Sequence, residues 1–192
     1  MKDNFSKQEY LRKIIHLLIF FFGLFLLIFD LKYCLPIFLL ISSSFILLDF
    51  LRINNNNLNI YYHKYFGFVT RSIEKDRMTS ASYAFCSIMI VVLFFDKTIA
   101  ACSIMILSIS DVVASYIGVK FGKFKLLDNK TLEGSIAFFI STAIILLFFN
   151  FTSYQVILVS FGCTIIELLA DKFKLDDNLG IPVIAAMLLT IL

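Results

Sequence analysis

Seven apolar runs separated by short polar breaks organise this chain. They fall at about 13–30, 33–51, 80–95, 98–119, 132–150, 154–170 and 180–192. Each is predominantly apolar, and runs of this length predict membrane helices. The run at 98–119 is the clearest. About 22 residues at ~1.5 Å each give roughly 33 Å, enough for a ~30 Å hydrocarbon core. The last run is short for a crossing and either half-spans or re-enters from the same side. Asp30, Pro36, Asp96 and Asn150 punctuate the turns, and Asn54–Asn57 with Asn59 open a long polar loop expected to be solvated linker. Basic residues precede the first run, as in a signal peptide. That run is long and has no A-x-A-like cleavage site, so it is expected to be a retained helix.

Composition sharpens this into an all-α, polytopic integral membrane protein of about seven transmembrane helices, with 1–192 as one membrane-embedded domain. The 192 residues are 60% hydrophobic, with 23 Phe and no Trp, and the mean hydropathy is +0.91. A soluble domain of this size could not hide so much apolar surface. The net charge of +3 is small, and no basic stripe is interleaved with exposed aromatics, so no nucleic-acid partner is expected. Cys34, Cys86, Cys102 and Cys163 all sit in apolar runs without C-x-x-C spacing and read as packing residues.

Charge sets the orientation. With the N-terminus cytoplasmic, all of the 17 Lys and Arg residues except Lys32 and Lys97 fall inside, as the positive-inside rule requires. Of the 14 carboxylates, only Asp30 and Asp96 lie at the outer face. Polar groups gathered on one side argue against a channel or transporter, which needs them along both halves of a path. They fit an enzyme working on the cytoplasmic side.

Asp111 stands well inside an apolar run, where an Asp costs roughly 2.5–3.5 kcal/mol and is a functional-site candidate by default. Asp111, Ala114, Ser115, Gly118 and Gly122 share one helix face if the helix continues that far. Small residues there also make a helix–helix seam. The carboxylate could hold Mg²⁺, which takes one or two carboxylates plus phosphate oxygens. Lys130-Thr131-Leu132-Glu133-Gly134-Ser135 should start the next helix, with Thr131 as N-cap. Free N–H groups and the helix dipole favour an anion there, and Gly134 would let phosphate approach. Glu133 either holds metal or favours the dipole.

Other stretches carry candidate groups. Glu9, Arg12, Lys13 and His16 lie close on one helix face. They form either an amphipathic interfacial turn or a site. Arg71 and Glu74 precede Thr79-Ser80-Ala81-Ser82-Tyr83, a capped helix start, and His63 reads as exposed or locally bonded. Glu167 and Asp171 are one turn apart, and Asp176-Asp177-Asn178 precede Gly180 and Pro182. Like charges one turn apart repel unless a cation or phosphate-bound metal offsets them. There is no Walker A loop, H-E-x-x-H or G-x-G-x-x-G.

Together these residues resemble the family of dolichol kinases, phytol kinases and CTP-dependent diacylglycerol kinases, over nearly the whole chain. The resemblance lies in E-x-x-R-K-x-x-H (Glu9, Arg12, Lys13, His16) and in R-x-x-E followed by a T-G-A-S-Y-like element (Arg71, Glu74, Thr79, Ala81, Ser82, Tyr83). A D-x-x-A-x-x-x-G-x-x-x-G element (Asp111, Ala114, Gly118, Gly122) and K-[ST]-x-x-G-S (Lys130, Thr131, Gly134, Ser135) follow. A distant Glu (Glu167) and D-D-N-x-x-x-P (Asp176, Asp177, Asn178, Pro182) complete the set. Ser110 and Ser80 stand where the family usually has Gly. Val119 replaces a common Arg, removing one phosphate contact for which Lys120 is the available substitute. Phosphatidate cytidylyltransferases share the central element but close with H-G-G, absent here.

The resemblance implies CTP-dependent phosphorylation of a membrane lipid alcohol (a polyprenol or dolichol, a phytol-type isoprenoid or diacylglycerol). Phosphatidate cytidylyltransferase is the alternative. Asp111 and Asp177 would hold Mg²⁺. Lys130, Thr131, Gly134, Gly118, Gly122 and Arg71 would bind the nucleotide. Arg12 and Lys13 would neutralise the transferring charge, and the base is left open among His16, Glu167, Asp171 and Asp176.

Overall fold

A computed structural model describes residues 7–71, 74–127, 130–173 and 175–192. The chain is helical: α1 (Lys7–Ile28), α2 (Leu31–Asn54), α3 (Asn56–Phe66), α4 (Ser80–Phe94), α5 (Lys97–Met105), α6 (Asp111–Phe121), α7 (Leu132–Phe148), α8 (Ser153–Leu169) and α9 (Asp177–Ile191). A π turn at Ile106–Ser110 joins α5 and α6 into one continuous helix. A small antiparallel ribbon, β1 (Lys125–Leu127) with β2 (Lys130–Thr131), precedes α7 and is the one described departure from helix-and-loop structure.

Each predicted apolar run is met by a helix. Gln8–Ile28, Leu31–Asn54 and Lys97–Phe121 are long and apolar enough to cross a membrane. The other four apolar helices have 15–17 residues and rise about 22–26 Å, short of the ~30 Å core. Two boundaries shift in ways that matter. Helix α1 begins at Lys7, so Glu9, Arg12, Lys13 and His16 are all helical. The Asn-rich stretch is a helix start rather than linker: the Asn55 side chain accepts from Asn57 N and Leu58 N and caps α3.

The joined α5–α6 helix forms the centre. Two thirds of its span (67%) is buried, against 28% for α1 and 22% for α2, which keep their outer faces for lipid. Ala100, Ala101, Ile104, Ile106 and Leu107 pack with Ile181, Ala185 and Leu189 of α9 and with Ile88 and Val91 of α4. Small residues allow this close approach in a medium where lipid is as apolar as leucine. A Cβ on Gly23 of α1 would sit 3.1 Å from Ala101 O of α5. Cys34, Cys102 and Cys163 are buried, Cys86 is half-buried, and all four are free, as packing residues should be.

The long loop between α3 and α4 is held by a buried ion pair that the sequence pattern does not single out. Arg52, 1% exposed, donates from Nε to Asp49 Oδ1 at 2.5 Å. Its other nitrogens donate to the carbonyls of Glu74, Lys75 and Arg77 at 3.1, 3.1 and 2.5 Å. The Asp49 Oδ2 atom accepts from Thr79 N and Oγ1 at 2.6 and 2.9 Å. The guanidinium also lies 4.8 Å from the Tyr62 ring centroid. A buried charge is tolerated when its hydrogen bonds are complete, and breaking such a pair typically costs about 3–5 kcal/mol. Arg52→Met should therefore lower the melting temperature of the detergent-solubilised protein, followed by far-UV circular dichroism. An unchanged melting temperature would show that the loop is held by other means.

Candidate active site

The π turn places Asp111. One extra residue in a helical turn rotates the following face by roughly 100° about the axis, and such turns are frequent at functional sites. Polar side chains accommodate it inside the membrane. Ser108 Oγ donates to Met105 O at 3.1 Å, and Thr142 Oγ1 of α7 donates to Ser110 Oγ at 3.0 Å. Asp111, first residue of α6, then points at α1. Lys13 Nζ donates to its Oδ2 at 2.5 Å, and His16 Nδ1 lies 3.9 Å from the same oxygen. Asp111 is 5% exposed and His16 7%. Among the described residues, His16 Nδ1 finds no hydrogen-bond partner.

A second cluster joins the ribbon to α8 and α9. Lys130 Nζ donates to Glu167 Oε1 at 2.5 Å and lies 3.6 Å from Asp177 Oδ2. Burial works against the charge on Lys130, but Asp177 and Glu167 outweigh it and hold its pKa above the usual lysine range. The other Glu167 oxygen, Oε2, is buried without a partner among the described residues. Asp176 caps α9, its Oδ1 accepting from Asn178 N and Nδ2.

A third cluster adjoins both. Arg12 contacts Glu9 Oε1 at 3.1 Å, Glu74 Oε1 at 3.5 Å and Ser80 Oγ at 2.8 Å. Arg71 bonds Glu9 through Nε at 3.1 Å, while its backbone N donates to Glu74 Oε2 at 2.9 Å. The three clusters meet around a polar cavity of about 30 Å³ lined by Arg12, Lys13, His16, Arg71, Asp111, Asp177 and Asn178. Sequence-predicted residues from five separate stretches thus converge within one site.

The glycines serve a different neighbour from the one anticipated. A Cβ on Gly134 would meet Ala114 O at 3.0 Å and Gly118 Cα at 3.3 Å, and one on Gly118 would meet Thr131 Oγ1 at 3.1 Å. They let α7 lie against α6. Gly122 caps α6 in extended conformation, so it does not continue the helical stripe. Thr131 is the predicted N-cap, accepting from Gly134 N at 3.2 Å, and Leu132 N donates to Phe124 O at 2.9 Å. The start of α7 is therefore less open to an anion than the sequence implies. Glu133 accepts from the backbone N of Lys123 and Phe124 and pins the preceding loop. Lys120 donates to Tyr116 Oη. The side chain of Asp171 lies outside the described residues. Pattern reasoning missed Ser80 as the partner of Arg12, and the π turn; two serines within an apolar run were the available signal for the latter.

Among the described residues, no three His, Cys, Asp or Glu side chains are set to hold a metal by themselves. Mg²⁺ does not require this, since it commonly takes one or two carboxylates with phosphate oxygens and water. The charges fit. Among the described residues, Asp111, Glu167 and Asp177 form their lysine ion pairs with Lys13 and Lys130, while Arg12 and Arg71 are engaged by Glu9 and Glu74. A polyphosphate entering a cluster with this surplus of carboxylate needs an accompanying cation.

No family profile matches the chain, and no solved structure matches it. An uncharacterized protein of Rickettsia prowazekii is 29% identical over 95% of this chain and 93% of its own length. CTP-dependent diacylglycerol kinase 1 of Saccharomyces cerevisiae is 28% identical over 96% of this chain and 73% of that protein. A probable chloroplastic phytol kinase of Triticum aestivum is 30% identical over 65% of this chain and 47% of that protein. These similarities support the kinase family that the motifs resemble. The link to dolichol kinases and to cytidylyltransferases rests on the motifs alone.

Burial, reinforced by the neighbouring Asp177, pushes the Asp176 carboxyl up to about 6 from an ordinary value of 3.8. Below pH 3.8 the group is protonated folded and unfolded alike. As pH rises towards 6 the unfolded carboxyl ionises first, and the fold loses stability until the folded carboxyl ionises too. Asp176→Asn, which keeps the cap, should match the wild-type melting temperature near pH 4 and exceed it at pH 7. Equal differences at both pH values would show that Asp176 titrates normally.

Proposed function

We propose that this chain is an integral-membrane lipid kinase that transfers the γ-phosphoryl group of CTP to the hydroxyl of a membrane alcohol. The observation that carries this reading is the convergence of Asp111, Lys13, His16 and Asp177 on one polar cavity, with Lys130 and Glu167 joined to it through Asp177. Kinase-named relatives support it, and CTP comes from the name of the yeast protein. The acceptor class, a diacylglycerol or an isoprenoid alcohol, follows from the same names and from a site at the ends of apolar helices. The chain acts as a single domain with about seven membrane segments, its N-terminus and its site on the cytoplasmic side, where the basic residues gather.

Phosphoryl transfer is largely a matter of positioning and of neutralising charge on the transferring oxygens. Lys13 supplies a compact positive charge on the cavity wall, and Lys130 supplies another beside the cavity-lining Asp177; each already neutralises a carboxylate. Arg12 and Arg71 also line the cavity, with Arg71 at the exposed rim. Asp111 and Asp177 would hold Mg²⁺ on the phosphates, where it would neutralise charge on the transferring group. When nucleotide enters, the lysines exchange their carboxylate partners for phosphate oxygens. Gly118, Gly122 and Gly134 act by letting α6, Thr131 and the start of α7 pack closely, which fixes the segment that carries Lys130. Glu167 orients Lys130.

Asp111→Asn tests this reading. It should lower transfer of label from γ-labelled CTP into lipid by at least about 10²-fold, the scale of losing one preorganised electrostatic group. Helix content and membrane insertion should be retained, while the melting temperature falls because Lys13 loses its charged partner. Near-normal transfer by the variant would remove Asp111 from the metal site. Pyrophosphate release with formation of a CDP-lipid by the wild type would replace the kinase reading with the cytidylyltransferase one.

A further inference from the structure

A larger cavity, about 290 Å³, opens next to the polar one and shares Arg12 and His16 with it. Its two ends differ in chemistry. Arg12, His16, Glu74 and Ser80 line one end, and Phe22, Phe45 and Phe85 line the other. The three rings form one cluster, with Phe45 stacked on Phe85 at 4.2 Å and Phe22 set edge-on to Phe85 at 5.5 Å. From Arg12 to Phe22 the helix rises about 15 Å, half of a ~30 Å hydrocarbon core. The cavity therefore runs from a polar membrane face to mid-bilayer depth, the length of one leaflet. Its wall also reaches the exposed surface of α1. Helices α1 and α2 touch through Phe22, Phe25 and Phe38 towards their outer ends, leaving Ile15 (42% exposed) and Leu18 (54% exposed) at the mouth.

Resting on the kinase reading above, we propose that this cavity is the acceptor site: it takes the hydrocarbon segment next to the alcohol's hydroxyl, which enters from the bilayer between α1 and α2. The decisive group is His16, which lines both cavities and whose buried Nδ1, 3.9 Å from Asp111 Oδ2, has no hydrogen-bond partner among the described residues. A buried polar atom left unpaired is unfavourable, and a hydroxyl arriving there would satisfy it. Ser80 Oγ, already bonded to Arg12 and Glu74, closes the polar end behind that hydroxyl. The volume is at the lower edge of the ~300–1,000 Å³ usual for small-molecule sites. It accommodates one chain, so a two-chain lipid would leave its second chain outside in the bilayer.

The test is photolabelling of the full chain in nanodiscs with two probes, geranylgeraniol and a diacylglycerol, each bearing a chain diazirine. The expected adducts fall on Ile15–Phe22 and around Phe45 and are competed by the unlabelled alcohol. Competable adducts elsewhere, or none that compete, would overturn the proposal. Ala81→Leu, which adds volume inside the cavity, gives a second readout. It should raise KM for the alcohol at least about tenfold while KM for CTP stays within about twofold. An unchanged alcohol KM in the folded variant would overturn the proposal. Competable labelling in the cavity without phosphoryl transfer from any nucleotide would instead count against the kinase reading. Transfer with labelling elsewhere would count against the cavity alone.

Discussion

A carboxylate buried in an apolar helix has to be compensated, and the structure is arranged around that requirement. Asp111 lies on the most buried of the three long apolar helices and is met by Lys13 from α1. Neither charge is tolerable there alone. The pairing fixes how α1 lies along the central helix. It thereby sets His16, one turn on, and the adjacent Arg12 over the same cavity. The π turn is the backbone counterpart of this pairing, since it re-aims Asp111 without breaking the helix.

Two kinds of buried polar network can be distinguished by completeness. Around Arg52 and Asp49 the hydrogen bonds are extensive: one carboxylate, one guanidinium, three carbonyls and Thr79 satisfy each other. This network supports the loop that carries Glu74 and leads to Ser80. Around Asp111 and Lys130 the accounts are left open, with His16 Nδ1 and Glu167 Oε2 unpaired among the described residues. Ser42, His63, Ser135 and Ser160 also carry unpaired buried atoms, so what sets His16 apart is its place on the wall of the polar cavity, where a ligand could supply the partner.

Much of this was readable in the sequence because membrane helices announce themselves as apolar runs, and because charged residues inside them are too costly to be incidental. All seven runs became helices, and Asp111, Lys13, His16, Lys130 and Asp177 converge. What could not be read depends on contacts distant in sequence. Arg52 looked like an ordinary flanking charge, yet its partners are loop carbonyls more than twenty residues away. The Asn-rich stretch looked like linker because its role lies in the Asn55 cap and in Asn59 reaching Lys75 O. The glycines pointed to phosphate, but their missing side chains are used by the α6–α7 contact. A π turn has no periodic signature of its own.

The account stands on Asp111, Asp177 and Lys130 acting together on a metal-bound triphosphate. Equilibrium binding of radiolabelled CTP to the purified protein in nanodiscs, measured with and without Mg²⁺, probes this without relying on turnover. Saturable binding that requires the cation, and that weakens at least about tenfold in both Asp177→Asn and Lys130→Ala, is the result expected. Tight binding in the absence of divalent cation, or unaltered binding by both variants, would contradict it.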